Sequence, residues 1–127
     1  MTASDRRRIA AAIAQAEDGT TGRIAVRVIP DGSVDALERA EREFDRIGLA
    51  ARQARNAALV LIAPNARGYA VIGDRSLHER VGDDFWKGVV AEMQPFFARE
   101  DVTGGVLLAV ERIGSALHAH FSEEPES

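Results

Sequence analysis

Seven consecutive residues, Ala57 to Ala63 (Ala-Ala-Leu-Val-Leu-Ile-Ala), carry no polar side chain. Successive strand residues face opposite ways, so a run without polar alternation must be covered on both sides, as in a sheet lying between helix layers. This predicts the central strand of an α/β domain. Pro64 follows it, and the run is far short of the about 20 residues a membrane span requires.

The flanking pattern supplies the other layers. Ser4 or Asp5 can cap a first helix whose apolar face is Ile9, Ala12, Ile13 and Ala16, stopped at Asp18-Gly19. After Gly22, Ile24, Val26 and Val28 alternate with Arg23, Ala25 and Arg27, which reads as an edge or near-edge strand with one wet face, ended by Pro30-Asp31-Gly32. Ser33 caps a second helix with Leu37, Ala40, Phe44 and Ile47 inward and Gly48 at its end; Glu38, Glu41, Arg42 and Asp45 form its solvated face. Pro64-Asn65-Ala66-Arg67-Gly68 is turn chemistry for a hairpin into Tyr69 to Ile72. The helix between the first two strands predicts that they run parallel, and the hairpin predicts that the second and third run antiparallel. A short helical piece near Leu77 to Val81 precedes a helix capped by Asp83, with Phe85, Val89, Met93 and Phe96 or Phe97 inward and a bend or break at Pro95. Thr103 starts a last helix with Val106, Leu107, Val110, Ile113, Leu117 and Phe121 on one stripe. The prediction is a three-layer α/β/α sandwich around a small mixed sheet.

The 127 residues suit a single domain over 1–122 that buries roughly two-thirds of its unfolded surface, followed by a disordered acidic tail at 123–127. Cysteine is absent, so thiolate chemistry and disulfides are excluded and any metal must sit on oxygen or imidazole. Residues 1–55 carry ten Arg against nine acids, and residues 56–127 six basic against eleven acidic. An acidic second half argues against nucleic-acid binding. The Arg6-Arg7-Arg8 cluster leads into an Ala-rich amphipathic segment with Gln15, Glu17 and Asp18 rather than an apolar signal core, so the chain is expected to be cytoplasmic; a monomer is also expected.

Chemistry-bearing residues gather after the third strand, where Asp74, His78, Asp83 and Asp84 fall within eleven positions. Asp74, after Gly73, is placed either to cap a helix or to serve a site. His78, four residues on, would share a helix face with it and suggests a proton shuttle or a hydrogen-bonded structural imidazole. Asp83 and Asp84 are a cap with a first-turn acid or, with Asp74, oxygen donors for Ca²⁺ or Mg²⁺. Glu17 and Asp18 stand at the end of the first helix, where negative charge opposes the dipole, and Glu17 is a weaker cation candidate. Arg55 and Arg75 are the cations available for a phosphoryl group or for pairing with an acid. His118 and His120, two apart on one helix, diverge and make a poor chelate, and Trp86 is read as core.

Several segments together resemble the TPM domain family: Ala16-Glu17 before Thr21-Gly22, Ala-x-x-x-Phe-x-x-x-Gly at 40–48, Arg55-Asn56 before the apolar strand, Gly73-Asp74-x-x-x-His78, Phe85-Trp86, and Gly114-x-x-Leu117. The resemblance spans about residues 6 to 121. It implies an α/β/α sandwich, weak acid phosphatase activity, divalent-cation binding in some members, and association with membrane-protein assembly or repair. Arg23 departs from it, standing where many members carry an acid, and the family's usual signal peptide and membrane helix have no counterpart in this sequence.

No phosphate-binding loop, dinucleotide fingerprint, serine elbow or cysteine phosphatase loop occurs. Two function classes follow. The first is a binding or accessory module with a cation-capable acidic cleft and a protein partner. The second is a weak metal-dependent acid phosphatase, drawing on Asp74, His78 and Arg55, with carboxylates and a cation activating water. The first is favoured, because no nucleophile and base stand at convincing spacing.

Overall fold

The computed structural model describes residues 2–29, 35–46, 56–64 and 68–122. Its elements run α1 (Ala3–Glu17), β1 (Arg23–Val28), α2 (Ala36–Arg46), β2 (Ala57–Ala63), β3 (Gly68–Gly73), α3 (Arg75–Ala98) and α4 (Val102–His120). The sheet order is β1-β2-β3, with β1 parallel and β3 antiparallel to β2. β2 is central, and Leu59 and Leu61 are fully buried.

The alternation of β2 divides its residues between two cores. Ala58, Val60 and Ile62 join Ile9, Ile24, Met93, Val106 and Ile113 under α1, α3 and α4. Ala57, Leu59, Leu61 and Ala63 meet Ala40 and Phe44 of α2. Among the described residues three helices thus cover one face and α2 the other, which is the sandwich that an all-apolar strand requires.

Local chemistry sets the helix boundaries. α1 is capped by Thr2, whose hydroxyl accepts from the Asp5 N–H while the Asp5 carboxylate accepts from the Thr2 N–H, rather than by Ser4 or Asp5. Asp35 accepts from the Glu38 N–H at 3.1 Å, a capping bond at the start of α2. In α3 the break falls at Gly82 (φ 79°), a conformation natural to glycine, whereas the helix continues through Pro95 to Ala98. α4 is capped by Asp101, which accepts from the Gly104 N–H, and begins at Val102, one residue before the expected Thr103. Leu37 is 53% exposed, not inward as its spacing suggested. The expected Pro30-Asp31-Gly32 turn, Ser33 cap, Ile47 and Gly48, Arg55, the Asn65–Arg67 turn and the 123–127 tail lie outside the described residues.

Candidate functional site

The register pairs Arg23 with Ala57 and Ala58 with Gly73, so β1 and β2 begin where β3 ends. Parallel α/β sheets usually place ligands at the carboxyl ends of their strands. Here the antiparallel return of β3 carries its exit to the opposite end, and α3 starts from it.

Asp74 is the junction. Its Oδ1 accepts from the Leu77 N–H at 3.0 Å, capping α3, and its Oδ2 accepts from the Ala57 N–H at 3.0 Å. One carboxylate therefore fastens the last strand, the first residue of the central strand and the following helix. Beside it, the Ser76 hydroxyl lies 2.7 Å from Asn56 Oδ1 and 3.2 Å from Asp74 Oδ1, a single donor shared between two acceptors. The Asn56 amide donates onward to Thr21 Oγ1 at 2.7 Å. Asn56 is buried and holds a left-handed backbone (φ 60°), which asparagine tolerates better than most side chains. Sequence reasoning placed Asn56 only as a neighbour of Arg55; its hub role depends on three distant segments meeting. The available signal was an asparagine immediately before a wholly apolar strand.

His78 belongs to a second chain of contacts. Trp86 Nε1–H donates to His78 Nδ1 at 3.1 Å, and His78 Nε2 stands 3.4 Å from Asp83 Oδ1. Indole nitrogen only donates, so Nδ1 must be the accepting nitrogen and the neutral ring carries its proton on Nε2, toward Asp83. Trp86 is thus more than core: it fixes the imidazole tautomer. Its ring also covers Gly73, where a Cβ would approach Trp86 Cζ2 to 2.5 Å.

These groups line an open cleft of about 1130 Å³ between α2 and α3 along β3. Asp74, His78 and Asp83 share it with Arg75, Glu79 and the α2 acids Glu41 and Asp45. Asp84 is exposed and is not part of its wall. Glu17 lies at β1 instead, accepting from the Ile24 N–H at 2.7 Å and standing 3.9 Å from Arg23 Nη1, so the Arg23 departure has a local partner. Arg55 lies outside the described residues. Among the described residues no three acidic or imidazole side chains converge on one point. The set expected to hold a cation therefore divides, with Asp74 and Asp83 in the cleft and Glu17 and Asp84 outside it. No described helix is long and apolar enough to cross a membrane.

Similar folds have been solved in three bacteria. The BA42 protein of the psychrophile Bizionia argentinensis superposes with a TM-score of 0.87 at 27% identity, over 98% of this chain and 86% of that one. An N-terminal domain from P. gingivalis gives 0.83 at 12% identity, over 100% and 83%. The N-terminal domain of cg2496 from Corynebacterium glutamicum gives 0.75 at 21%, over 100% and 78%. At those last two identities the likeness speaks for the fold alone. No curated protein matches the chain. Residues 1–116 match the TPM domain, nearly the whole of the architecture built around β2, and the chain belongs to that family.

Proposed function

We propose that this TPM domain is a binding module whose cleft between α2 and α3 receives a partner, with a divalent cation as accessory ligand. One observation carries the reading: both leading catalytic candidates are engaged within the protein. Asp74 holds two backbone N–H groups, and the accepting nitrogen of His78 is filled by Trp86. A general base needs a free lone pair aimed at its substrate. The cleft wall beside them is open and acidic, which suits recognition by charge.

Ca²⁺ and Mg²⁺ take six or more oxygen ligands. Asp83 would supply carboxylate oxygens, Asp74 could add only the lone pair that its three hydrogen bonds leave free, and water or oxygens of the partner would complete the sphere. An incomplete protein cage of this kind gives millimolar to micromolar affinity and makes the cation a bridge.

NMR-monitored titration of the ¹⁵N-labelled chain with Ca²⁺, Mg²⁺ and Zn²⁺ tests this, alongside hydrolysis of a generic phosphate ester. The expected result is a saturable hard-cation response around Asp74 and Asp83, weakened by Asp83→Asn, with turnover slow or undetectable. Robust metal-dependent hydrolysis lost in Asp83→Asn would establish a phosphatase instead.

A further inference from the structure

β3 lies at one edge of the sheet. The Asp74 N–H donates to Ala57 O at 2.8 Å, which makes 57–74 a hydrogen-bonded pair of the antiparallel ladder. Such pairs alternate along a ladder. In the observed register Ile72 and Ala70 therefore turn their backbone groups toward β2, and Tyr69, Val71 and Gly73 turn theirs outward. Among the described residues no strand takes up that edge. The cleft runs directly along it, walled by every residue from Tyr69 to Gly73, with α2 on one sheet face and α3 on the other. Sheet edges are templates for strand addition unless shielded. Leu37, half-exposed on the α2 wall, leaves an apolar contact beside this edge.

We propose that the outer edge of β3 accepts an extended peptide segment of another protein as a fourth strand, with Lys or Arg at alternate positions and apolar residues between them. The proposal rests on the reading of the cleft as a binding surface and names the partner class. The walls dictate the alternation, because an added strand directs successive side chains to opposite sheet faces. On the α2 side the charged groups lining the cleft are Glu41 and Asp45, both acidic and exposed. Side chains on that side meet carboxylates, which selects Lys or Arg with stems laid along Leu37. On the α3 side the charges are of both signs, Arg75 and Lys87 against Glu79 and Asp83, and favour neither sign, so the Trp86 and Val90 surfaces between them decide and select apolar residues. Five residues of edge span about 17 Å, so a hexapeptide covers it.

The probe is an acetylated, amidated hexapeptide of alternating Val and Lys, titrated into the ¹⁵N-labelled full chain. Amide shifts and slowed exchange are expected at Tyr69, Val71 and Gly73. Two N-methylated versions, one blocked at the Val amides and one at the Lys amides, separate strand pairing from side-chain binding: one should lose binding and the other keep it. Glu41→Lys with Asp45→Lys, both on exposed positions, should weaken the Val/Lys peptide about threefold or more at low salt and favour a Val/Glu peptide. Equal binding of both N-methylated peptides would overturn strand addition. Shifts of the β3 amides on dilution of the free protein would overturn the foreign peptide in favour of a second copy. Silence toward the peptide with a preserved Ca²⁺ response would sink this proposal alone, and silence toward both would also remove the binding-module reading.

Discussion

Trp86 and His78, eight residues apart on α3, are joined by an indole N–H donated to imidazole Nδ1 at 3.1 Å, across the Gly82 break. The break makes this contact possible by redirecting the second half of α3 so that a residue two turns on reaches back. Trp86→Phe keeps an aromatic ring on α3 but removes the N–H donor together with part of the buried indole. The imidazole should then lose its tautomer preference, read as ¹⁵N shifts of Nδ1 and Nε2 moving toward each other at mildly alkaline pH. Stability should fall by about 1–3 kcal/mol, one net hydrogen bond plus the buried ring atoms that are lost. An unchanged tautomer would mean that Asp83 alone orients the ring.

Asp74 combines a helix cap with a tether to the central strand. Asp74→Ser retains a cap acceptor for Leu77 but is too short to keep the Ala57 bond, whereas Asp74→Ala loses both. Caps are worth about 1 kcal/mol, and a buried N–H left without a partner costs a further 1–3 kcal/mol or so. Urea melts should rank wild type above Asp74→Ser above Asp74→Ala. Equal loss in the two variants would refute a separate role for the Ala57 bond.

Much of this architecture was legible in the sequence. Ala57 to Ala63 identified the central strand because nothing in it tolerates water, and strand directions followed from what separates the strands. Gathering Asp74, His78 and Asp83 at one strand exit was equally readable. What failed was local. Leu37 has helical spacing for burial, yet it is 53% exposed and lines the cleft along the edge strand β3 instead of a core. Thr2 outcompeted Ser4 and Asp5 as a cap because Asp5 returns the bond as the third helical residue. Pro95 was expected to bend or break the helix, yet α3 runs on through it to Ala98, while the division expected between Val81 and Asp83 does fall there, at Gly82. Asn56 was invisible because its partners come from other segments, and the tautomer-setting role of Trp86 because the contact crosses the Gly82 break rather than following helical spacing.

Gly73 carries an ordinary strand backbone, so its identity is set by space. A Cβ there would stand 2.5 and 2.8 Å from two atoms of the Trp86 ring, a rigid group wedged against the core. Gly73→Ala should cost about 1–3 kcal/mol and shift Trp86 fluorescence as the indole is pushed outward. Gly88→Ala, where a Cβ meets nothing within 4 Å, should instead be neutral or slightly stabilising. Equal effects at the two sites would show that the ring yields freely.

Glu43 is the charged residue that α2 buries, and its surroundings make a pH prediction. The Arg46 guanidinium, 2.8 Å away, holds its carboxyl below the usual value, with Arg39 at 3.5 Å adding to the effect against the opposing cost of burial. A carboxyl with a depressed folded-state pKa binds protons more readily when unfolded. Its contribution is therefore complete above the unfolded value of 4.5 and is lost as pH falls below that through the lower folded value. Glu43→Gln should be less stable than wild type at pH 7, and the gap should close in urea melts taken at progressively lower pH beneath 4.5. Because Arg46 is mostly solvent-exposed, salt will trim the difference without removing it. Leu37→Ser on the same helix should change stability by no more than about 0.5 kcal/mol. A large loss there, or a pH-independent gap at Glu43, would contradict the burial pattern assigned to α2.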